Sequence, residues 1–399
     1  MNTQQFPFRK ILLAIYLPSL LIAIGAGAII PFLPLFIQEL GANVGLTGLI
    51  VSMGGFGLLI FNIPGILLAS RYGVYRLLFV SAAATILVAL LQGFSVNLLM
   101  LAILIFLGGF AHTLWQLSRL TYLRQVIPVE KRGRAMSLMG GCMRIGAFLG
   151  ALIGGYIAHY CGYRCLFFFH AGAGLIAFIL LALFIMPLAH RPPEKHSSGL
   201  PGLLRVLLQE RRSFATAGTC MFFLSLLRAA RSFIIPLWGK HIGLDDAQIG
   251  VIFGLSSAID MTMFIPAGIV MDRFGRRYSA FVTIAGFAIG FLAIPCAGSF
   301  GAFLAVCLFI GLSNGLGSGI NMTLGVDLAP DDAPEQFIGL WRLLTLTGSA
   351  VAPNIIGLIA LMLNLSASSL VTGGLGAAGA AFVYFILPET LKSKSKNVS

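Results

Sequence analysis

Long apolar runs alternate with short polar breaks along almost the whole chain. A run near 20 residues is long enough to cross a ~30 Å hydrocarbon layer as a helix. The pattern predicts twelve spans, at about 11–38, 46–70, 75–94, 98–122, 134–159, 164–187, 213–239, 247–271, 277–297, 300–326, 336–362 and 367–387. Most breaks hold only a few residues. The exception, AHRPPEKHSSGLPGLLRVLLQERR at 189–212, separates an N-terminal bundle of six spans (1–188) from a C-terminal one (213–399) that ends in a short tail. Arg9 and Lys10 precede the first run with no small-residue cleavage site after it, so that run is read as a span and not as a removable leader.

The second bundle echoes the first. At a constant offset of 202, without gaps, the pairs Pro34/Pro236, Gly41/Gly243, Gly48/Gly250, Ile63/Ile265, Pro64/Pro266, Arg71/Arg273, Gly73/Gly275, Pro128/Pro330, Gly146/Gly348 and Gly155/Gly357 align. Most are glycine, proline or arginine at helix ends and packing points, the mark of a duplicated six-helix unit. The expected fold class is an all-α integral membrane protein with twelve transmembrane helices in two pseudo-symmetric six-helix bundles.

Composition sharpens this picture. The chain is 58% hydrophobic and 10% charged, against about 25% charged for a soluble domain. A net charge of +13 would suit nucleic acid only if it lay on one polar face. Here the basic residues fall in clusters between apolar runs, and one alternate set of loops holds only Arg164 and Lys240. That asymmetry orients both termini to the cytoplasm, with the bacterial inner membrane as the expected location and no nucleic-acid partner. Cys142, Cys220 and Cys307 sit in apolar runs and Cys161 and Cys165 flank a short loop, which reads as small buried side chains and not as a disulfide or metal framework.

One charged stretch carries a family signature. PAGIVMDRFGRRYSA (266–280) places Gly268, Asp272, Arg273, Gly275 and Arg276 between spans 8 and 9, and a worn copy, PGILLASRYGVYRLL (64–78), keeps Arg71 and Gly73. The segment resembles the loop signature of the major facilitator superfamily. RGRAMSL after span 4, GAFLGALIGG in span 5 and PET at 388–390 fit the same family, and the span 5 glycines resemble the pattern of its drug:proton antiporter branch, with Ala151 in place of the proline. The resemblance implies transport by alternating access, in the export direction. It also implies a latch at the cytoplasmic helix ends that closes in the outward-facing state. In that latch Gly268 would let span 8 pack closely, Asp272 would hold arginines of the adjacent loop and Gly275 would allow the turn.

Five arginines remain inside the spans: Arg119 (span 4), Arg144 (span 5), Arg228 and Arg231 (span 7) and Arg342 (span 11). Only Asp260 (span 8) and Asp327 (span 10) oppose them. Arg144 lies roughly 15 Å into its helix at 1.5 Å per residue, where an unpaired charge costs at least ~2.5–3.5 kcal/mol. Its partner is expected to be a ligand anion, an acid from the other half, or backbone carbonyls. Expected pairs elsewhere are Arg228 or Arg231 with Asp260, and Arg342 with Asp327. Asp260, Asp327 and His112 are the candidates for a proton-coupling group. His112/Asn314 and Arg119/Asn321 are repeat partners on spans 4 and 10, and with Trp115, Gln116 and Trp341 they are expected to wall a central cavity.

Excess positive charge points to an anionic or zwitterionic small-molecule substrate, because arginine presents a fork suited to carboxylate or phosphate. Span 1 reads AIGAGAIIPFLPLF, without the acid that exporters of cationic drugs carry there in this superfamily. There is no phosphate loop, nucleophile elbow or zinc-helix motif, so no enzymatic activity, cofactor or metal is expected. The sequence thus predicts a secondary transporter of a small organic anion or zwitterion, coupled to protons, embedded in lipid and acting as a monomer. A broad-specificity drug/proton antiporter and a non-transporting membrane sensor are the alternatives.

Overall fold

The computed structural model describes residues 8–128, 131–186 and 200–390. Residues 189–199 of the expected linker, with Arg191 and Lys195, and the tail from 391, with Lys392, Lys394 and Lys396, lie outside the described residues. Among the described residues every regular element is helical. Eleven helices are long and apolar enough to cross a membrane, and one pair bent by 46° makes a twelfth.

These spans are α1 (Arg9–Ile29), α2 (Val44–Tyr72), α3 (Val74–Gly93), α4 (Leu98–Val126), α5 (Arg132–Cys161), α6 (Arg164–Phe184), α7 (Arg211–His241), α8 (Asp246–Thr262 with Phe264–Phe274), α9 (Arg276–Ala293), α10 (Phe300–Asp327), α11 (Pro334–Met362) and α12 (Leu365–Ile386). A short helix, Leu33–Glu39, continues α1, and the described part of the linker forms Leu200–Gln209.

Local chemistry sets the boundaries. Asn43, Asn97, Asp245, Ser299 and Asn364 cap α2, α4, α8, α10 and α12 by accepting the first free backbone N–H groups. Gly73 and Gly275 reverse the chain between α2 and α3 and between α8 and α9, at φ +81° and +97°, which an L side chain resists. In α8 the break falls at Met263, three residues before Pro266, whose missing N–H cannot close the turn. In α10 it falls at Gly317–Gly319, with Gly319 in the left-handed region at φ +83°.

The repeat is geometrical as well as sequential. Wide π-turns occur at Leu12–Tyr16 and Phe214–Gly218, 202 residues apart. Within the first bundle α1 packs on α5 and α6, and α4 on α2 and α3; within the second α7 packs on α11 and α12, and α10 on α8 and α9. The bundles meet where α2 packs on α11 and α5 on α8. Helices α3, α6, α9 and α12 show apolar side chains outward, among them Leu87, Leu183, Ile289 and Phe385, as a lipid-facing layer requires.

The two joining contacts close one end of the molecule. A Cβ on Gly155 would sit 2.8 Å from the Gly250 Cα, and one on Gly357 would sit 3.0 Å from the Gly48 Cα. Gly48/Gly250 and Gly155/Gly357 are repeat partners, so the two contacts are one contact used twice. Small residues let backbones meet in this way. Tyr163 adds a hydrogen bond across the seam to Asp246 (2.9 Å), which also pairs with Lys240 (2.8 Å). Burial first, and then the Asp246 carboxylate, pushes the Tyr163 hydroxyl above its ordinary pKa, so it stays a donor.

Toward the other end, which carries the basic loops, the same helices part. A Cβ on Gly133, Gly140 or Gly141 of α5, or on Gly339 of α11, would meet nothing within 4 Å. Gly268 of α8 likewise meets nothing within 4 Å while this end stands open. The molecule is sealed at the far end and open between its bundles at the basic end.

Gly155→Ala is expected to destabilise the protein by about 1–3 kcal/mol through overpacking, while Gly140→Ala, in open space, leaves stability unchanged or slightly raised. Thermal unfolding in detergent compares them; equal effects would contradict the seal.

Candidate functional site

Between the sealed and open ends a polar chain crosses the gap. Arg144 of α5 reaches Asp260 of α8 at 3.0 Å and donates its other Nη to the Ser318 hydroxyl at 2.9 Å. Its guanidinium also lies 5.1 Å over the Phe264 ring, just past the break in α8. The second Asp260 oxygen accepts from the Asn314 amide at 2.8 Å. The Asn314 carbonyl in turn accepts from Arg228 Nε at 2.7 Å, and Arg228 Nη2 donates to the Gly317 carbonyl at 3.0 Å. That carbonyl is free for Arg228 because the helix breaks there.

Asp260 is therefore held by Arg144 from the opposite bundle, with Arg228 joined to it only through Asn314. This corrects the expected Arg228 or Arg231 pairing and realises the alternative in which the partner of Arg144 is an acid from the other half. Arg231 donates instead to Ser256 (3.0 Å) and Ser257 (3.3 Å) and stacks on Phe253 (5.1 Å). A signal for the Arg144–Asp260 pair lay in the sequence. Arg144 is 11 residues from Gly155 and Asp260 is 10 from Gly250, so once those glycines touch, the two charges share one depth.

Two equivalent helix stripes line the interior. On α10, Asn314, Gly317, Ser318 and Asn321 follow the i, i+3, i+4, i+7 spacing of one face. All four are engaged: by Arg228, by Arg144, and by Trp341, whose indole N–H donates to Asn321 Oδ1 at 2.8 Å. On α4 the repeat partners are His112, Trp115, Gln116 and Arg119. Here Gln116 donates to His112 (2.8 Å), but the Trp115 indole N–H and the Arg119 Nε have no partner. Arg119 is 4% exposed and its nearest acceptor is the Met143 sulfur at 3.0 Å, a weak one. Sequence reasoning missed Ser318, although it is the repeat partner of Gln116.

Asp327 does not pair with Arg342, a second correction. It lies at the basic end of α10 and accepts from Arg276 Nε at 3.1 Å and from the Thr390 hydroxyl at 3.1 Å. Among the described residues the Arg342 guanidinium has no hydrogen-bond or ion-pair partner. With this end open, Asp272 is 79% exposed on its side chain and 3.6 Å from Arg276, an ion pair that contributes little in this state. Glu389 does more: it accepts from the backbone N–H groups of Arg276 (2.9 Å) and Arg277 (3.1 Å), the N-terminal end of α9. A side chain on Gly275 would strike this carboxylate, its Cβ 2.2 Å away. Arg71 and Arg273 are exposed and lie over the neighbouring Tyr72 and Phe274 rings. The Arg276, Asp327 and Glu389 contacts lie within the second bundle, and they form while the bundles stand apart at this end.

Two outcomes are expected from thermal unfolding. Arg144→Gln and Asp260→Asn each cost about 3–5 kcal/mol by leaving a charge unpaired, and the double variant costs clearly less than their sum; strict additivity would contradict the pair. Asp272→Asn changes stability by less than about 0.5 kcal/mol and Asp327→Asn by more; the reverse order would restore Asp272 as the centre of the latch.

With this geometry in hand, comparison with known proteins gives the family. Residues 15–227 and 217–399 match the profile described as Major Facilitator Superfamily. An uncharacterized MFS-type transporter of Mycobacterium tuberculosis is 24% identical over 316 residues, covering 77% of this chain and 42% of the relative. The multidrug resistance protein MdtG of Proteus mirabilis is 28% identical over 63% of each chain. The quinolone resistance protein NorA of Staphylococcus aureus is 27% identical over 50% of each. This chain thus spans two fifths to two thirds of the length of the relatives it matches. Among solved structures, a D-xylose–proton symporter superposes with TM-score 0.75 at 15% identity, covering 97% of this chain and 99% of that one. A bacterial homologue of the lysosomal transporter Spinster, in an inward-facing conformation, gives 0.78 at 12% identity over 96% and 98%. The duplicated six-helix bundles, the loop signature and these matches agree: the chain belongs to the major facilitator superfamily of membrane transporters.

Proposed function

We propose that the protein carries a small organic anion or zwitterion across the membrane by alternating access, coupled to protons, and that Arg119 and Arg342 hold the anionic group. The observation that carries this reading is the charge left over after pairing. Asp260 is committed to Arg144, and Asp327 to Arg276. Arg119 of α4 and Arg342 of α11, one from each bundle, are left without a carboxylate. Two unpaired guanidinium groups in a membrane interior are stabilised by an anion that both can fork. Trp115, Gln116, Trp341 and Asn321 would border that anion.

By the positive-inside rule the basic end faces the cytoplasm and both termini lie there. The open gap is then inward-facing, and the substrate reaches Arg119 and Arg342 from the cytoplasmic side. Rocking the bundles about the Arg144–Asp260 crossing would open the glycine-sealed end instead.

A second reading is broad-specificity export in exchange for protons. It is supported by the names of the MdtG and NorA relatives and by the glycine pattern of α5. A thermal-unfolding screen of the purified protein against carboxylates, organic phosphates and lipophilic cations separates the two. A ligand at 100 times its Kd adds about 2.7 kcal/mol. Carboxylates or phosphates are expected to stabilise the wild type but not Arg119→Gln or Arg342→Gln. Stabilisation by lipophilic cations alone, equal in all three proteins, would contradict the anion site and favour the second reading.

A further inference from the structure

In the first bundle, residues of α1, α3, α4 and α6 line a partly open cavity of about 120 Å³. Ala26, Thr85, Gln92, His112, Trp115 and His170 line it. At ~30 Å³ per molecule it has room for about four waters. Two of the lining residues also carry a polar atom that is sealed off without a partner, His170 Nδ1 and Trp115 Nε1. Gly25 makes room for the His170 ring, because a Cβ there would come 2.1 Å from Nδ1. Buried polar groups of this kind call for a ligand or a function.

The repeat shows what the cavity replaces. Ala26, His112 and Trp115 correspond to Arg228, Asn314 and Gly317. In the second bundle the Arg228 guanidinium fills this space and bonds to Asn314 and Gly317. In the first bundle an alanine leaves the space open, with two imidazoles facing it. One bundle holds a fixed positive charge; the other holds groups whose charge can come and go.

We propose that His112 and His170, with the cavity between them, form the proton-binding site of the transport cycle. The proton adds to the lone pair of an imidazole nitrogen and leaves water behind; no other bond breaks. At His112 that nitrogen is Nε2, now accepting from the Gln116 amide. On protonation Gln116 turns its amide and accepts through its oxygen. Asp260 is not available for this role while Arg144 and Asn314 hold both its oxygens.

The charges around the pair tie it to the substrate. The lining residues of α1 and α3 include no titratable group. Arg119 lies seven residues along the same face of α4, and Arg342 stands on α11 of the facing bundle; a guanidinium near an imidazole opposes its protonation. An anion lying against those arginines cancels the repulsion. Anion and proton then bind each other's state more tightly, and the linkage is reciprocal. This coupling rests on the anion site proposed above; the proton site does not.

The test uses the full-length protein with ¹⁵N-labelled histidine, the two ring signals being assigned with His112→Gln and His170→Gln. Ring signals are followed against pH, with and without benzoate. The expected result is a coupled titration: removing either ring moves the other's midpoint by about one pH unit. Benzoate is expected to raise the wild-type midpoint and not that of Arg119→Gln. Rings that never charge, or that titrate independently of each other, overturn the proton site. Coupled titration that benzoate leaves unmoved keeps the proton site and removes the anion reading.

Discussion

A guanidinium placed halfway along a lipid-embedded helix needs a counter-charge, and Arg144 finds it in the other bundle. The 3.0 Å contact with Asp260 joins α5 to α8 where they begin to part. Asn314, Ser318 and Arg228 then spread that contact over α10 and α7. Each donor and acceptor in this chain is stabilised by the next, and removing one leaves a buried charge exposed to a low-dielectric medium. The pair also decides what the rest of the interior can do. It occupies the Asp260 carboxylate, while Arg119 and Arg342 stand without a carboxylate partner among the described residues.

Duplication explains the frame and its departures explain the chemistry. The glycine contacts, π-turns, capping residues and positive-φ turns recur at an offset of 202. The charges do not. Arg144, Arg228 and Asp260 have Leu346, Ala26 and Leu58 as repeat partners, and Arg342 has Gly140. Symmetric parts set how two bundles touch and part. Asymmetric parts let one bundle anchor fixed charge while the other keeps an open, polar stripe on α4.

Much of the fold was legible because bilayer thickness fixes span length and because the repeat is exact in register. The number and bounds of the spans follow from those two facts. The breaks at Met263 and Gly317–Gly319 do not, since hydropathy is blind to a bend inside an apolar run. Pairing was less legible for a related reason. A periodic pattern gives the face of a helix but not which face of another bundle it meets, so Asp260 was assigned to arginines of its own half. At the open basic end the signature residue Asp272 projects into solvent, while Asp327 and Glu389 from distant positions reach Arg276 and the start of α9.

Alternating access then becomes a statement about which groups stay bound. In the proposed cycle the glycine seams separate and re-form about the crossing where Arg144 and Asp260 pair. The most direct test is the infrared spectrum of the reconstituted protein, taken as wild type minus Asp260→Asn, between about pH 8 and about pH 5, with and without benzoate. The account predicts no protonated-carboxyl band from Asp260 under any of these conditions. A band that grows as pH falls and vanishes in the variant would show that Asp260 releases Arg144 to take up the proton, and would contradict it.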